Sequence, residues 1–332
     1  MAHPVGLILG LALLGMCAAL APAHAVGFQH RSVPDGGDPP LDVGIWYPSD
    51  APAAPHRLGL GEQTVAPDGA VAGNNLPLVL ISHGSGGWFG GHVDTALALA
   101  RAGFVVAALS HTGDTYADSS RALKLAGRPA QVKRLLDYML ADWPGHARID
   151  PARVGVFGFS AGGFTALVLI GGVPDLARIA PHCEARPEEW TCKLLKAHGV
   201  DLATLPPEPA SAWVHDARIR AAVIAAPALG FAFGRDGLAH VHVPVQLWAA
   251  ANDQVLPVEF YAQVVARALP APPEYHVVPN AGHFAFLAPC SAELARRVPE
   301  ICKDAAGFDR AGMHAIFNAE VARFFTATLP GP

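Results

Sequence analysis

Arg153-Val-Gly-Val-Phe-Gly-Phe-Ser-Ala-Gly-Gly163 reads as an apolar strand that stops at Gly158, turns through Ser160 and restarts as a helix at Ala161. Gly158, Ser160 and Gly162 form a GxSxG elbow, and a turn this tight needs glycine on both flanks. The consequence is a strained, exposed serine hydroxyl. The helix that follows carries Phe164, Ala166, Leu167, Leu169 and Ile170 and aims its first amides at the same hydroxyl, where an oxyanion would form. GxSxG alone is weak, because any Gly/Ser-rich strand-to-helix turn matches it. What surrounds it decides the reading.

Outward from the elbow, other apolar runs end in polar, glycine-containing loops. Leu76 to Ser82 predicts a strand buried on both faces and delivers His83-Gly-Ser-Gly-Gly-Trp88. Such a loop can turn backbone amides inward as the second half of an oxyanion hole, so Ser85 and Ala161 are the predicted donors. A helix over 93–102 and a strand over 104–110 follow, and that strand ends in His111-Thr-Gly-Asp114. The segment 129–142 is amphipathic at helical spacing, with its proline in the first turn. Strands are predicted at 219–226, 243–250 and 274–279, and a final helix at 313–326. Toward the amino end, 29–49 predicts an opening pair of strands, and the Ala/Pro/Gly-rich stretch 50–75 reads as a surface excursion. Between the elbow helix and 219, residues 172–217 lose the alternation and cluster prolines, which predicts a cap inserted beside the site. The chain therefore reads as α/β: a mostly parallel sheet flanked by helices, with one inserted cap.

Two more strand ends complete a constellation. Asp253 follows the strand 243–250, and His283 sits in Asn280-Ala-Gly-His-Phe284 after the last strand. The order Ser160, Asp253, His283, each just past a strand, is that of a nucleophile, an orienting acid and a base. The chain has 16 histidines, so His283 is singled out by its place and not by its type. Asp114, also at a strand end, is the rival acid. Trp88, Phe231 and Phe233 are candidates to line an acyl pocket, with core packing under the cap as the competing reading of the phenylalanines.

Composition excludes several classes. The net charge of -5 and the absence of a basic patch exclude nucleic-acid binding. Residues 1–25 lack Asp, Glu, Lys and Arg, carry an apolar run from Val5 to Leu20 and end in Ala-His-Ala, which predicts a cleaved signal peptide. A lipoprotein signal at Cys17 and a permanent anchor are the competing readings; Met16 is too bulky before a lipidated cysteine, and the run is short of a span. No later run is long enough to cross a membrane. Export predicts a secreted or periplasmic protein. Its four remaining cysteines then predict two disulfides, with the local pairs Cys183–Cys192 and Cys290–Cys302 favoured over the other two connectivities. Metal binding at Cys183 and Cys192, with His182 and His198 near, is the competitor, but the spacing fits no zinc pattern.

The motifs SHGSGG (82–87), HTGD (111–114), GFSAGG (158–163), ALGFAFG (228–234), ANDQVLP (251–257) and NAGHFAFL (280–287) resemble the α/β-hydrolase superfamily. Within it they are similar to the serine-type dienelactone-hydrolase-like proteins related to platelet-activating factor acetylhydrolase. The resemblance spans nearly all of the chain after residue 25. It implies carboxyl-ester hydrolysis without a cofactor or metal, on a small-molecule ester. True dienelactone hydrolases use a cysteine nucleophile, so Ser160 does not carry that substrate over. A lipid or polyester substrate, or a binding protein on the same fold, are the other readings, and sequence leaves the oligomeric state open.

Overall fold

The computed structural model describes residues 24–202 and 209–331. The expected signal segment lies outside the described residues up to residue 23. Central to the sheet is β5 (Leu76–Ser82), every residue of which is buried. Its side chains alternate between two cores: Leu78 and Leu80 join one cluster, Val79 and Ile81 the other. This is what a strand covered on both faces requires, and each large side chain so buried contributes roughly 1.5–3 kcal/mol.

The remaining strands are β1 (Ala25–Asp35), β2 (Asp38–Ser49), β3 (Ala54–Leu58), β4 (Gly61–Pro67), β6 (Val105–Ser110), β7 (Ile149–Phe159), β8 (Ile219–Ala225), β9 (Val245–Ala250) and β10 (Glu274–Val278). They form one sheet in the order β10-β9-β8-β7-β5-β6-β2-β1-β4-β3. From β10 to β6 all neighbours are parallel. β2 pairs antiparallel to β6 and to β1. The stretch 50–75, expected as a plain surface excursion, instead folds into the hairpin β3–β4, which extends the sheet through a short β1–β4 pairing. Pro55 and the exposed polar side chains of β3 suit an edge strand, where a missing N–H is tolerated.

Helices cover both faces. They are α1 (Val93–Arg101), α2 (Gly127–Ala141), α3 (Ala161–Leu169), α4 (Ile179–Ala185), α5 (Trp190–Ala197), α6 (Arg235–Leu238), α7 (Ala262–Ala268), α8 (Ala292–Arg297), α9 (Pro299–Cys302) and α10 (Arg310–Thr328). α3 has no polar face, and all nine of its residues are buried. Val132, Leu135 and Leu136 of α2 join its cluster, while Leu99 of α1 and Phe317, Val321 and Phe325 of α10 cover the opposite face. α10 starts where the Asp309 carboxylate accepts the Gly312 amide at 2.9 Å.

Among its described residues the stretch 172–217 contributes α4 and α5 and no strand, and Ile179, Cys183, Cys192 and Trp213 pack into the core beside α3. Two disulfides form, Cys183–Cys192 and Cys290–Cys302. The first removes both sulfurs that a metal at that pair would need, and no cluster of three or more metal-ligating side chains occurs among the described residues. Among the described residues no helix is long and apolar enough to cross a membrane.

Candidate active site

The elbow is built by close backbone approach. A Cβ on Gly158 would lie 2.1 Å from the Gly162 carbonyl oxygen, and one on Gly162 would lie 1.9 Å from that of Ser82. No side chain fits at either place. Ser160 itself takes φ 55° and ψ -117°, a backbone conformation costly for any residue but glycine. Neighbouring strands hold it there: the Ser160 amide donates to Ala225 O at 2.9 Å, and the Ala228 amide donates to Ser160 O at 2.9 Å. Strain at a turn fixed from both sides aims the hydroxyl out of the sheet.

The His283 ring reaches that hydroxyl. Its Nε2 lies 3.1 Å from Ser160 Oγ, and its Nδ1 lies 2.7 Å from Asp253 Oδ2. Asp253 is itself fixed, because its Oδ1 accepts the amides of Val255 at 2.9 Å and Leu256 at 2.7 Å. With the carboxylate on Nδ1, that nitrogen carries the proton and Nε2 is left free to accept one from the serine. Phe159, one residue before Ser160, packs its ring 4.9 Å from the imidazole and closes its inner side. Residues 123 and 30 positions apart thus form one chain of hydrogen bonds. Such an arrangement can withdraw a proton from a hydroxyl and return it to a leaving group.

The loop after β5 lies against the elbow, since a Cβ on Gly84 would come within 3.2 Å of Ser160 Cβ. Among the described residues no acceptor takes the amides of Ser85 or Ala161, whereas the Gly87 amide donates to Gly84 O and the Gly86 amide to Asp114 Oδ1. The amides expected as oxyanion donors are thus the ones left without an acceptor, next to Gly84 on one side and Ser160 on the other. Among the described residues it is Asp253, and not the rival acid Asp114, that bonds to His283. Asp114 is buried, and its partners are the Gly86 amide, Ser85 Oγ and Arg128.

Beneath this loop His83 and His111 are fully buried. The His111 amide donates to His83 Nε2 at 3.0 Å, which leaves Nδ1 of His83 to donate to Gly84 O; Gln131 and Ser82 occupy the nitrogens of His111. Burial, reinforced by the Arg128 charge, holds both pKa values well below the usual histidine range. His92, edge-on to Phe157 and Phe159, is pushed down to about 4, again chiefly by burial.

The predicted pocket-lining residues fare differently. Phe233 is 0% exposed, packed on Phe164, and is core. Phe231 is also buried and stacks on His182 of α4 at 3.7 Å between ring centroids. An apolar loop under the inserted block has spent its rings on joining that block to the body. The aromatic rim that a lipid or polyester substrate would call for is reduced accordingly. Trp88 is half-buried against Phe89, with its indole over Gly59 and Gly90. Tyr261, in the segment that follows Asp253, ties the block down further: its hydroxyl donates to Glu189 Oε2 at 3.0 Å and lies 3.1 Å from Thr191 Oγ1. Arg128 went unremarked in the sequence, and no local signal marks it, since its contacts lie 14 and more residues away.

No family model and no curated protein matches the sequence. Solved structures do. One of them, a ferulic acid esterase from Streptomyces cinnamoneus, is similar with a TM-score of 0.59 and 20% identity, over 95% of this chain and 93% of that one. The chain has the α/β-hydrolase fold. What the two chains share at this identity is architecture, a mostly parallel sheet flanked by helices, and the chemistry of this chain has to be argued from its own residues.

Proposed function

We propose that this chain is an exported serine hydrolase that cleaves small or short-acyl carboxyl esters, in the manner of the dienelactone-hydrolase-like branch of the superfamily. The observation that carries the reading is the bridge made by His283 between Ser160 Oγ at 3.1 Å and Asp253 Oδ2 at 2.7 Å, at a serine held with φ 55°. Ser160 Oγ attacks the acyl carbon while its proton passes to His283 Nε2. Asp253 keeps the tautomer and balances the charge of the imidazolium. The carbonyl oxygen, now an anion, is met by the amides of Ala161 and Ser85, each donor being worth on the order of 10²-fold or more in turnover. The alcohol leaves with the proton from Nε2, and water repeats the cycle on the acyl-serine. No step calls for a cofactor. Residues 172–217 form the cap of this reading, and the oxidised cysteine pairs support export to a secreted or periplasmic location.

A second reading concerns the acyl group alone. Tyr116, two residues past Asp114, is 78% exposed, and a ferulic acid esterase has the same architecture; an ester of an aromatic acid is then the substrate. Labelling the purified protein with a fluorophosphonate, mapping the adduct, and comparing p-nitrophenyl esters of rising chain length with methyl ferulate tests both. Adduct on Ser160 and turnover lost in Ser160→Ala are expected. A folded protein that takes no label has a binding role instead.

A further inference from the structure

We propose that the buried ion pair of Arg128 and Asp114 is a positioning device that fixes both oxyanion donors relative to each other; this rests on the serine-hydrolase reading above. Arg128 is 3% exposed and Asp114 2%. The Arg128 guanidinium contacts three separate pieces of chain. One Nη donates to Asp114 Oδ2 and the other to the His83 carbonyl. Its Nε donates to Thr165 Oγ1 at 3.3 Å, and that hydroxyl donates to Ala161 O at 2.8 Å. Asp114 completes the circuit on the loop side, accepting the Gly86 amide at 2.8 Å with Ser85 Oγ 3.4 Å away. One rigid fork therefore links the loop of Ser85 to the helix turn of Ala161, and a guanidinium fixes angles as well as distances.

Two costs argue that stability is not what the pair supplies. Removing two charges from water largely cancels their attraction, so a buried pair adds little net stability over apolar residues of the same size. Arg128 also stands in the first turn of α2, where the helix dipole disfavours a cation. Burial pulls its pKa down to about 10, which still leaves it charged at neutral pH. A charged group kept in so unfavourable a place, linked through Asp114 and Thr165 to the segments of both donors, is accounted for by geometry: donors misplaced by even an ångström lose much of their effect.

The test uses full-length mature protein and three variants. Arg128→Lys keeps a charge on Asp114 but cannot reach His83 O and Thr165 together. Asp114→Asn/Arg128→Gln removes both charges, the first change isosteric and the second leaving a shorter side chain without the fork, and Thr165→Val cuts only the link to the elbow helix without changing any charge. Expected for p-nitrophenyl acetate is a fall in kcat of about 10- to 10³-fold for the first two and a smaller fall for Thr165→Val. KM stays within about threefold, and affinity for a boronic acid, whose tetrahedral adduct needs the same donors, falls in step with kcat. The pH at which kcat/KM is half-maximal on the acid side stays where it is, because His283 and Asp253 are untouched. Folded variants with wild-type kcat and boronate affinity overturn the proposal. So does a fall in kcat accompanied by a moved acid limb, which would place Asp114 in the proton relay. If the charge variants do not fold, Thr165→Val decides on the same two readouts. Wild-type enzyme that labels at Ser160 while the variants lose nothing overturns the positioning role only; wild-type enzyme that takes no label overturns the serine-hydrolase reading itself.

Discussion

Lowering the pH from 7 to 5 is expected to remove a large part of this protein's stability, through three buried histidines other than His283. His83, His92 and His111 are fully buried and held neutral: His92 is pushed down to about 4, and the other two lie well below the usual value. The groups facing them are Arg128, Gly84 O and His111 for His83; Arg128, Ser82 and Gln131 for His111; and Asp94, His314, Phe157 and Phe159 for His92. The sign follows from which state takes the protons. In the unfolded chain each histidine titrates near 6.5, so below that pH the unfolded state binds a proton that the folded state refuses. Stability is complete above about pH 7 and declines as the pH falls through 6.5 toward 4. With its value near 4, His92 alone costs about 1.9 kcal/mol between pH 7 and 5, and His83 and His111 act in the same direction, against a total of roughly 5–15 kcal/mol for an ordinary domain. Each proton that the folded state refuses contributes a slope of about 1.4 kcal/mol per pH unit. Carboxylates with lowered pKa, such as Asp94 and Asp216, act only at the lower end of this window and below it. Urea unfolding at pH 7, 6 and 5 measures the slope, and His92→Leu, which keeps the site apolar between Phe157 and Phe159, is expected to lower it by about one proton. A slope below that of a single proton, or one unchanged in His92→Leu, would refute the assignment of neutral buried histidines.

Two further outcomes follow from the geometry. In Gly162→Ala the new methyl meets Ser82 O at 1.9 Å, so β5 and α3 must part by more than 1 Å at the oxyanion loop; kcat is expected to fall by about 10²-fold or more while the protein stays folded, with a cost of about 1–3 kcal/mol in a thermal melt. Removing the first disulfide with Cys183→Ser/Cys192→Ser frees a loop with cysteines 9 positions apart, for which the loop-closure relation gives a little under 3 kcal/mol; increased proteolysis within 172–217 at unchanged cleavage elsewhere is the readout, and equal protease resistance would show that packing on Phe231 and Tyr261 alone retains the block.

Much of the site is legible in the sequence because its causes are local. A strand, a glycine, a serine and a second glycine specify the elbow through sterics acting within five residues, and the order Ser160, Asp253, His283 places each at the same rim once the strands are parallel. The cysteine pairs are legible for the same reason, since short loops close first. What escapes notice depends on contacts across the sheet. Phe231 and Phe233 occupy an apolar loop whose sequence is equally good for lining a pocket or filling a core, and only the fold shows them buried, Phe231 stacked on His182 of α4 and Phe233 packed on Phe164 of α3. The hairpin β3–β4 hides behind prolines and glycines that an edge strand tolerates. Arg128 is an ordinary cation before an amphipathic helix until the loops of His83 and Asp114 are folded around it.

The two disulfides carry a consequence for how the protein matures. Cys183 joins Cys192 and Cys290 joins Cys302, at separations of 9 and 12, so each thiol's native partner is the neighbouring cysteine along the chain. A polypeptide passed amino end first into an oxidising compartment presents the first pair and can seal it before the second pair emerges, and the order of arrival then coincides with the final connectivity. Oxidation in sequence therefore needs no reshuffling by an isomerase. Full denaturation and reoxidation in a flask exposes these four thiols at once and allows three pairings among them, two of them wrong. The chain should mature more cleanly during delivery than it recovers afterwards.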